Sequence, residues 1–202
     1  MDDGKMLPLV EDFYTIQGEG FHVGKPAYFI RIGGCDVGCR WCDAKMTWNV
    51  KNFPLVPVEE VAARAASLPA QAVVVTGGEP LSCNLDALCR LLKEKGLQTF
   101  LETSGSQPLS GVWDWICLSP KPKQHPLPEI FAKANELKII VENEQDLRWA
   151  EETAARVAAS CRLFLQPEWS RHKQVVATIV EYAKQHPRWR ISIQAHKFMN
   201  VP

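Results

Sequence analysis

The sequence predicts an α/β fold: a partial, open parallel βα barrel of about six to seven strands. Three observations lead there. Short β-branched or aromatic runs alternate with stretches whose apolar residues recur at helical spacing, the pattern of βα units on a parallel sheet. At 202 residues the chain falls short of a complete eight-stranded barrel, which typically takes about 250 residues. Polar motifs (GGC, TGGEP, ETSG, SPK, QPEW and QAHK) each fall where a strand would end, the edge at which such sheets carry their chemistry. One cleft is the inference, with residues 1–202 as a single domain.

Taken in order, AYFIRIG (Ala27–Gly33) reads as a buried strand running into the glycines before the first cysteine. VPVEEVAARAASL (Val56–Leu68) has helical spacing, and AQAVVVTGG (Ala70–Gly78) is a strand stopping at a double glycine. LDALCRLLKEKG (Leu85–Gly96) is a helix with Gly96 as its C-terminal stop. QTFLETSG is the next strand, and WDWICLSPK, NELKIIVEN, CRLFLQPEW and RWRISIQAHKF supply four more. Helical patterns cover Gln145–Ala159 and Lys173–Gln185, while the Pro-rich stretch Pro120–Pro128 reads as a long loop over the cleft. Trp113, Trp115, Trp149, Trp169 and Trp189 read mostly as core or interface residues.

Composition excludes several classes. The chain is 46% hydrophobic and 23% charged, with 23 basic against 23 acidic residues. A net charge of zero without a long block of one sign argues against a nucleic-acid partner or a membrane surface. The acidic start MDDGKMLPLVED does not read as a secretory signal, and no apolar run approaches the roughly 20 residues of a membrane helix. Seven cysteines without an export signal point to a reducing, cytoplasmic setting, which makes disulfides the weaker explanation for any cluster of them.

The cluster is GGCDVGCRWCDAK (Gly33–Lys45), with Cys35, Cys39 and Cys42 spaced C-x3-C-x2-C. Thiolates this close bind zinc or iron–sulfur centres. Structural zinc takes four ligands; His22 could complete a Cys3His set. Electron-transfer clusters also take four cysteines, but Cys83, Cys89, Cys117 and Cys161 are scattered, with Cys89 and Cys161 reading as small core residues. Three ligands on a [4Fe-4S] cluster leave one iron open, as catalysis requires, and Gly33, Gly34 and Gly38 let the loop wrap closely.

This spacing, with Trp41 before the last cysteine, resembles the signature of the radical S-adenosylmethionine (SAM) superfamily. The resemblance implies one [4Fe-4S] cluster on Cys35, Cys39 and Cys42 and SAM chelated to its open iron. There, an electron cleaves SAM into methionine and a 5′-deoxyadenosyl radical. GGEP (Gly77–Pro80) is where that superfamily holds the methionine amino group; by itself it is a turn and a helix start.

FYTIQGEGFHVGKPAYFIRIGGC, VVVTGGEP, FLETSG, SPK, LQP and QAHKFMNVP together resemble the 7-carboxy-7-deazaguanine synthase family, over about Phe13 to Pro202. The resemblance implies conversion of 6-carboxy-5,6,7,8-tetrahydropterin to 7-carboxy-7-deazaguanine with loss of ammonia, on the route to queuosine-type tRNA bases. SAM is then regenerated rather than consumed. By the same resemblance Ile16, Gln17, Gly18, Thr76 and Pro202 contact the pterin, and Arg31 clamps its carboxylate, a task suited to a planar guanidinium. Trp41, Cys42, Asp43, Gly78, Ser119, Pro120, Lys121, Gln166, Pro167, Glu168 and Trp169 match SAM-binding segments. Glu102 of ETSG reads as a cleft carboxylate, as a cap or as a partner for Lys121. A flavodoxin or ferredoxin reductant is implied, and the short chain suggests a homodimer that covers sheet edges.

One position departs from the family. Members commonly carry Thr after the last Cys-Asp, where its hydroxyl binds Mg2+; here it is Ala44. Thr47 is a candidate replacement ligand and Lys45 a candidate replacement charge, and weak or absent magnesium dependence is expected. Two rivals remain. A glycyl-radical enzyme activating enzyme would share the cysteine loop but need a groove for a protein. A non-catalytic zinc or iron–sulfur module would leave the polar strand ends without a purpose.

Overall fold

The computed structural model describes residues 3–202. Within them lies one nine-stranded sheet in the order β3-β1-β2-β4-β5-β6-β7-β8-β9. The strands are β1 (Met6–Ile16), β2 (Pro26–Ile32), β3 (Leu55–Pro57), β4 (Ala72–Gly77), β5 (Gln98–Thr103), β6 (Trp115–Leu118), β7 (Glu136–Val141), β8 (Arg162–Pro167) and β9 (Trp189–Ile191). From β2 to β9 all neighbours are parallel, and the sheet is open. The partial βα barrel read from the sequence is the fold observed.

The count of six to seven strands needs correction, because β1 and β3 were not foreseen. They form an antiparallel edge, β1 pairing with β2 on one side and with β3 on the other. Pro8 and the acidic pair Glu11–Asp12 break the β signature of β1, and the register shifts between Leu9 and Glu11. Two of the three residues of β3, Val56 and Pro57, lie inside the Val56–Leu68 stretch that reads as a helix, which begins two residues later as α1 (Val58–Ala66). The run RWRISIQAHKF is a strand only at its start; its end turns into the short α6 (Ala195–Met199). The Pro-rich stretch is a turn closed by a Lys121–Gln124 bridge, and Pro128 opens α3 (Pro128–Lys133), where its missing N–H costs nothing.

The helices α1, α2 (Asp86–Glu94), α3, α4 (Gln145–Ala154) and α5 (His172–Gln185) cover one face of the sheet. Val73, Val75, Leu101, Leu118, Ile139 and Leu165 from that face join Val61, Leu88, Leu92, Ile130, Leu147 and Ile179 in the main core. Alternation puts the other residue of each pair on the inner face. Near the N-terminal ends of the strands that face is apolar, with Ala72, Val74 and Phe100 buried and Phe29 and Trp115 packed on them. One or two residues further along, it turns polar at Arg31, Thr76, Glu102, Lys138 and Gln166. The hairpin loop 17–25, between β1 and β2, plugs the apolar end: His22 stacks on Phe100 at 4.4 Å and Phe21 on Trp115 at 4.9 Å. The barrel therefore has a closed floor and a polar interior above it.

Candidate active site

The cavity above that floor measures about 480 Å³, within the usual range of small-molecule sites, ~300–1,000 Å³. Cys35, Cys39 and Cys42 line it, and so does every residue individually assigned to the pterin or to SAM except Pro120. Pro120 is buried and is not part of the lining. Residues from seven separate stretches of chain thus meet in one chamber, as the polar strand ends require.

Backbone contacts build the cysteine loop. The Gly33 N–H donates to Pro8 O at 2.7 Å, Gly34 N–H to Thr47 O at 2.7 Å and Cys35 N–H to Trp48 O at 3.2 Å. From the other side, Gly78 N–H donates to Ile32 O and Glu79 N–H to Gly34 O at 2.8 Å. A Cβ at Gly78 would lie 2.2 Å from Gly34 O and 2.9 Å from the Cys35 Cβ. The second glycine of TGGEP is therefore fixed by how closely it presses on the cysteine loop. Glu79 is buried beneath, accepting from the Thr103 hydroxyl at 2.6 Å, the Ser104 N–H at 2.8 Å and the Leu81 N–H at 3.1 Å.

The donor set suits a cluster. The three thiols are half-buried on one loop. Burial pushes the Cys35 and Cys39 thiols up, with Lys121 pulling Cys39 the other way, so bound iron is what would hold both as thiolates. Among the described residues no three His, Cys, Asp or Glu side chains converge on a single ion. His22 lies at the plugged end of the barrel against Phe100 and Trp115 and does not line the cavity, so the Cys3His zinc set is not formed. Neither proposed replacement at the Ala44 site is in place. The Thr47 hydroxyl is buried and donates to Ala44 O at 2.7 Å, and Lys45 does not line the cavity. The cation beside Asp43 is instead Lys197, at 3.3 Å, which also lies 4.6 Å from the Trp169 ring.

Other walls carry partners of their own. Arg31 faces the cavity with its Nε held by Glu11 Oε1 at 2.7 Å, beside the stacked Phe13–Phe29 pair. Lys121 donates to the Ser119 hydroxyl at 2.8 Å and lies 5.4 Å from the Trp41 ring; burial pulls its pKa down. Gln166 accepts from Ser192 Oγ at 2.6 Å, and that hydroxyl in turn accepts from the Gly20 N–H at 2.9 Å, tying β8 to the floor. Glu168 caps the following turn through the Ser170 and Arg171 amides. Gly18 sits directly under His196, whose Nδ1 would be 2.2 Å from an added Cβ; burial pulls the His196 pKa down. The Thr15 hydroxyl donates to Pro202 O at 3.2 Å.

Sequence reasoning missed Glu19, Lys138, His196 and Lys197, and left Glu102 undecided; all five line the cavity. Lys138 bonds Glu19 at 2.6 Å and Glu102 at 2.9 Å, so Glu102 is not the partner of Lys121. Burial opposes ionisation of Glu19, but the Lys138 ammonium, its hydrogen bond and that of Gln194 bring the Glu19 pKa to about 2. The signal available was weak: a lysine in the middle of the strand pattern NELKIIVEN, where only a buried partner would make it tolerable.

Comparison with known proteins identifies the family. Residues 29–117 match the Radical SAM superfamily. The chain is 49% identical over 202 residues to 7-carboxy-7-deazaguanine synthase of Flavobacterium psychrophilum, covering 100% of this chain and 96% of the relative. It is 45% identical to the enzyme of that name from Synechocystis, covering 96% and 93%. The crystal structure of QueE from Escherichia coli superposes with a TM-score of 0.84 at 31% identity, covering 95% of each chain. With one cavity joining a three-cysteine loop to the polar strand ends, and with full-length relatives of this identity, the chain belongs to the 7-carboxy-7-deazaguanine synthase family of the radical SAM superfamily.

Proposed function

We infer that this chain is a 7-carboxy-7-deazaguanine synthase, a single-domain carbon–nitrogen lyase that converts 6-carboxy-5,6,7,8-tetrahydropterin to 7-carboxy-7-deazaguanine and ammonia for queuosine-type 7-deazapurines. The observation that carries this reading is the one cavity shared by Cys35, Cys39 and Cys42, by Gln17 and Gly18 of TIQGEG, and by Arg31. Product and ammonia together contain every atom of the substrate, so the conversion has no net oxidation or reduction.

Cys35, Cys39 and Cys42 would hold a [4Fe-4S] cluster, and Trp41, Asp43, Gly78, Ser119, Lys121 and Gln166–Trp169 would surround SAM. Bound there and reduced, that pair supplies a carbon radical able to take a hydrogen atom from C6 of the pterin. The chain's own part is to bind, orient and exclude water. Arg31, aimed by Glu11, grips the pterin carboxylate through its two remaining nitrogens. Phe13 and Phe29 give the ring a flat wall beside that grip, and Ile16, Gln17, Gly18, Thr76 and Pro202 complete its pocket. Burial holds His196 neutral near neutral pH, so its ring can both donate and accept.

With Ala44 offering no side-chain oxygen and Thr47 buried outside the cavity lining, magnesium gains no hydroxyl ligand from either position. A flavodoxin or ferredoxin supplies the electron in the cytoplasm, and a homodimer covers the sheet edges at β3 and β9. Among the described residues no helix is long and apolar enough to cross a membrane.

The test is anaerobic. Reconstituted and reduced protein receives SAM and the pterin alone, and products are separated by chromatography and weighed. 7-Carboxy-7-deazaguanine is expected without any protein partner. SAM cleavage that leaves the pterin untouched would overturn the substrate assignment and revive the glycyl-radical activating role.

A further inference from the structure

The interior holds a charge arrangement that the cysteine loop does not need. Lys138 projects inward from β7 with its side chain 5% exposed, donating to Glu19 Oε2 at 2.6 Å and Glu102 Oε2 at 2.9 Å. One carboxylate would neutralise a buried ammonium; the second leaves the group negative, and buried charge is costly unless something uses it. Glu136, the nearest further acid, is turned to the Phe21 amide and the Trp115 indole, each at 3.1 Å, and burial pushes its pKa up towards the neutral form.

The outward oxygens of the two carboxylates differ. Glu19 Oε1 accepts from Gln194 Nε2 at 2.9 Å and is satisfied. Glu102 Oε1 has a long contact, 3.4 Å from Gln17 Nε2, on a side chain that lines the cavity and is 22% exposed. We propose that Lys138 is a positioning residue for substrate recognition: it clamps Glu102 beside Glu19 so that Glu102 Oε1 faces the cavity as acceptor for the adjacent N–H groups of a flat aminopyrimidinone ring. This rests on the pterin reading above.

Two physical effects follow from the clamp. The ammonium between them offsets the repulsion of two neighbouring carboxylates that it contacts at 2.6 and 2.9 Å. Its paired contacts also fix the Glu102 rotamer, so no ordering is left for the ligand to supply. The groups facing Lys138 are Glu19 from the hairpin loop, Glu102 from β5, Cys117 from β6 and Glu136 from β7, with Lys121 and His196 further round the wall. Burial pulls the ammonium's pKa down, but the acids around it raise it well above the ordinary lysine value, so the clamp stays charged at working pH.

The experiment titrates reconstituted enzyme, unreduced and with SAM present, with the pterin by fluorescence, and measures turnover and melting temperature in parallel. Lys138→Met is expected to weaken pterin binding at least tenfold, with the loss falling on KM more than on kcat. Lys138→Arg, which keeps the charge, restores binding to within about threefold of wild type. Glu102→Gln/Lys138→Met loses no more affinity than Lys138→Met alone, because both act through one oxygen. Should Lys138→Met fail to fold, Glu102→Gln carries the test, with at least a fivefold loss of affinity expected. Wild-type affinity in Lys138→Met or in Glu102→Gln overturns the inference, as does an equal loss in the Met and Arg variants that tracks their melting temperatures. Wild-type protein that ignores the pterin sinks the functional reading and this inference together; wild-type binding with an indifferent Lys138→Met sinks this inference alone.

Discussion

The cysteine loop and the charged interior face each other across one cavity and are built in opposite ways. The loop is a local object: three thiols in eight residues, shaped by backbone hydrogen bonds and by a glycine pressed against it. The interior group is a tertiary object, with Glu19, Glu102 and Lys138 arriving from a hairpin loop and two strands to form one buried ion cluster. A short-range device of this kind depends on shape and tolerates no added atom. A long-range device depends on charge balance and tolerates conservative changes that keep the sign.

The sharpest way to break the loop side is Gly78→Ala. Its methyl would sit 2.2 Å from Gly34 O, backbone that cannot step aside. Iron bound on reconstitution should fall well below wild type and turnover should drop at least 100-fold, ~2.7 kcal/mol or more; normal iron content would show that the close approach is not needed.

Glu19→Gln breaks the interior through charge instead. Removing one partner of a buried pair costs about 3–5 kcal/mol, and because Glu102 still faces Lys138 we expect about 2 kcal/mol, read by denaturant unfolding. The pH dependence has a definite sign. The Glu19 carboxyl titrates near 2 in the folded protein against an ordinary 4.5, so its stabilisation is complete above about 4.5 and fades as pH falls towards 2. The stability gap between wild type and Glu19→Gln should narrow over that window, and a gap that widens in acid contradicts the pairing.

Arg31→Lys sharpens the contrast at an intermediate scale. Charge is kept but the fork is lost, so KM for the pterin should rise about tenfold, ~1.4 kcal/mol, with kcat falling less. Wild-type KM would remove Arg31 from the carboxylate. The smallest effect concerns the Ala44 corner: a magnesium chelator should change turnover by less than about twofold, and an absolute magnesium requirement would mean that oxygen ligands come from elsewhere.

The same division decided what could be read from the sequence. The meeting of Cys35, Cys39, Cys42 and Gly78 in one place was legible because the pattern lies in spacing along the chain. The seven strands from β2 to β9, leaving out β3, were legible because buried parallel strands read as continuous apolar runs. β1 was hidden by Pro8 and Glu11–Asp12, whose side chains are tolerated at the antiparallel edge of the sheet. β3 was hidden because three residues carry no period. Lys138 looked like one polar residue in an apolar strand, and nothing in its neighbourhood names Glu19, 119 residues away. His22 misled for the opposite reason, being close to the cysteines in sequence but stacked at the far end of the barrel.

The most direct test of the central claim counts molecules: 7-carboxy-7-deazaguanine formed per SAM cleaved, in anaerobic turnover with the pterin as sole substrate. A cavity that holds both halves of this chemistry predicts several products per SAM lost. One deoxyadenosine released for each SAM consumed, with the pterin recovered intact, would mean that the thiol loop works and the charged interior serves some other ligand.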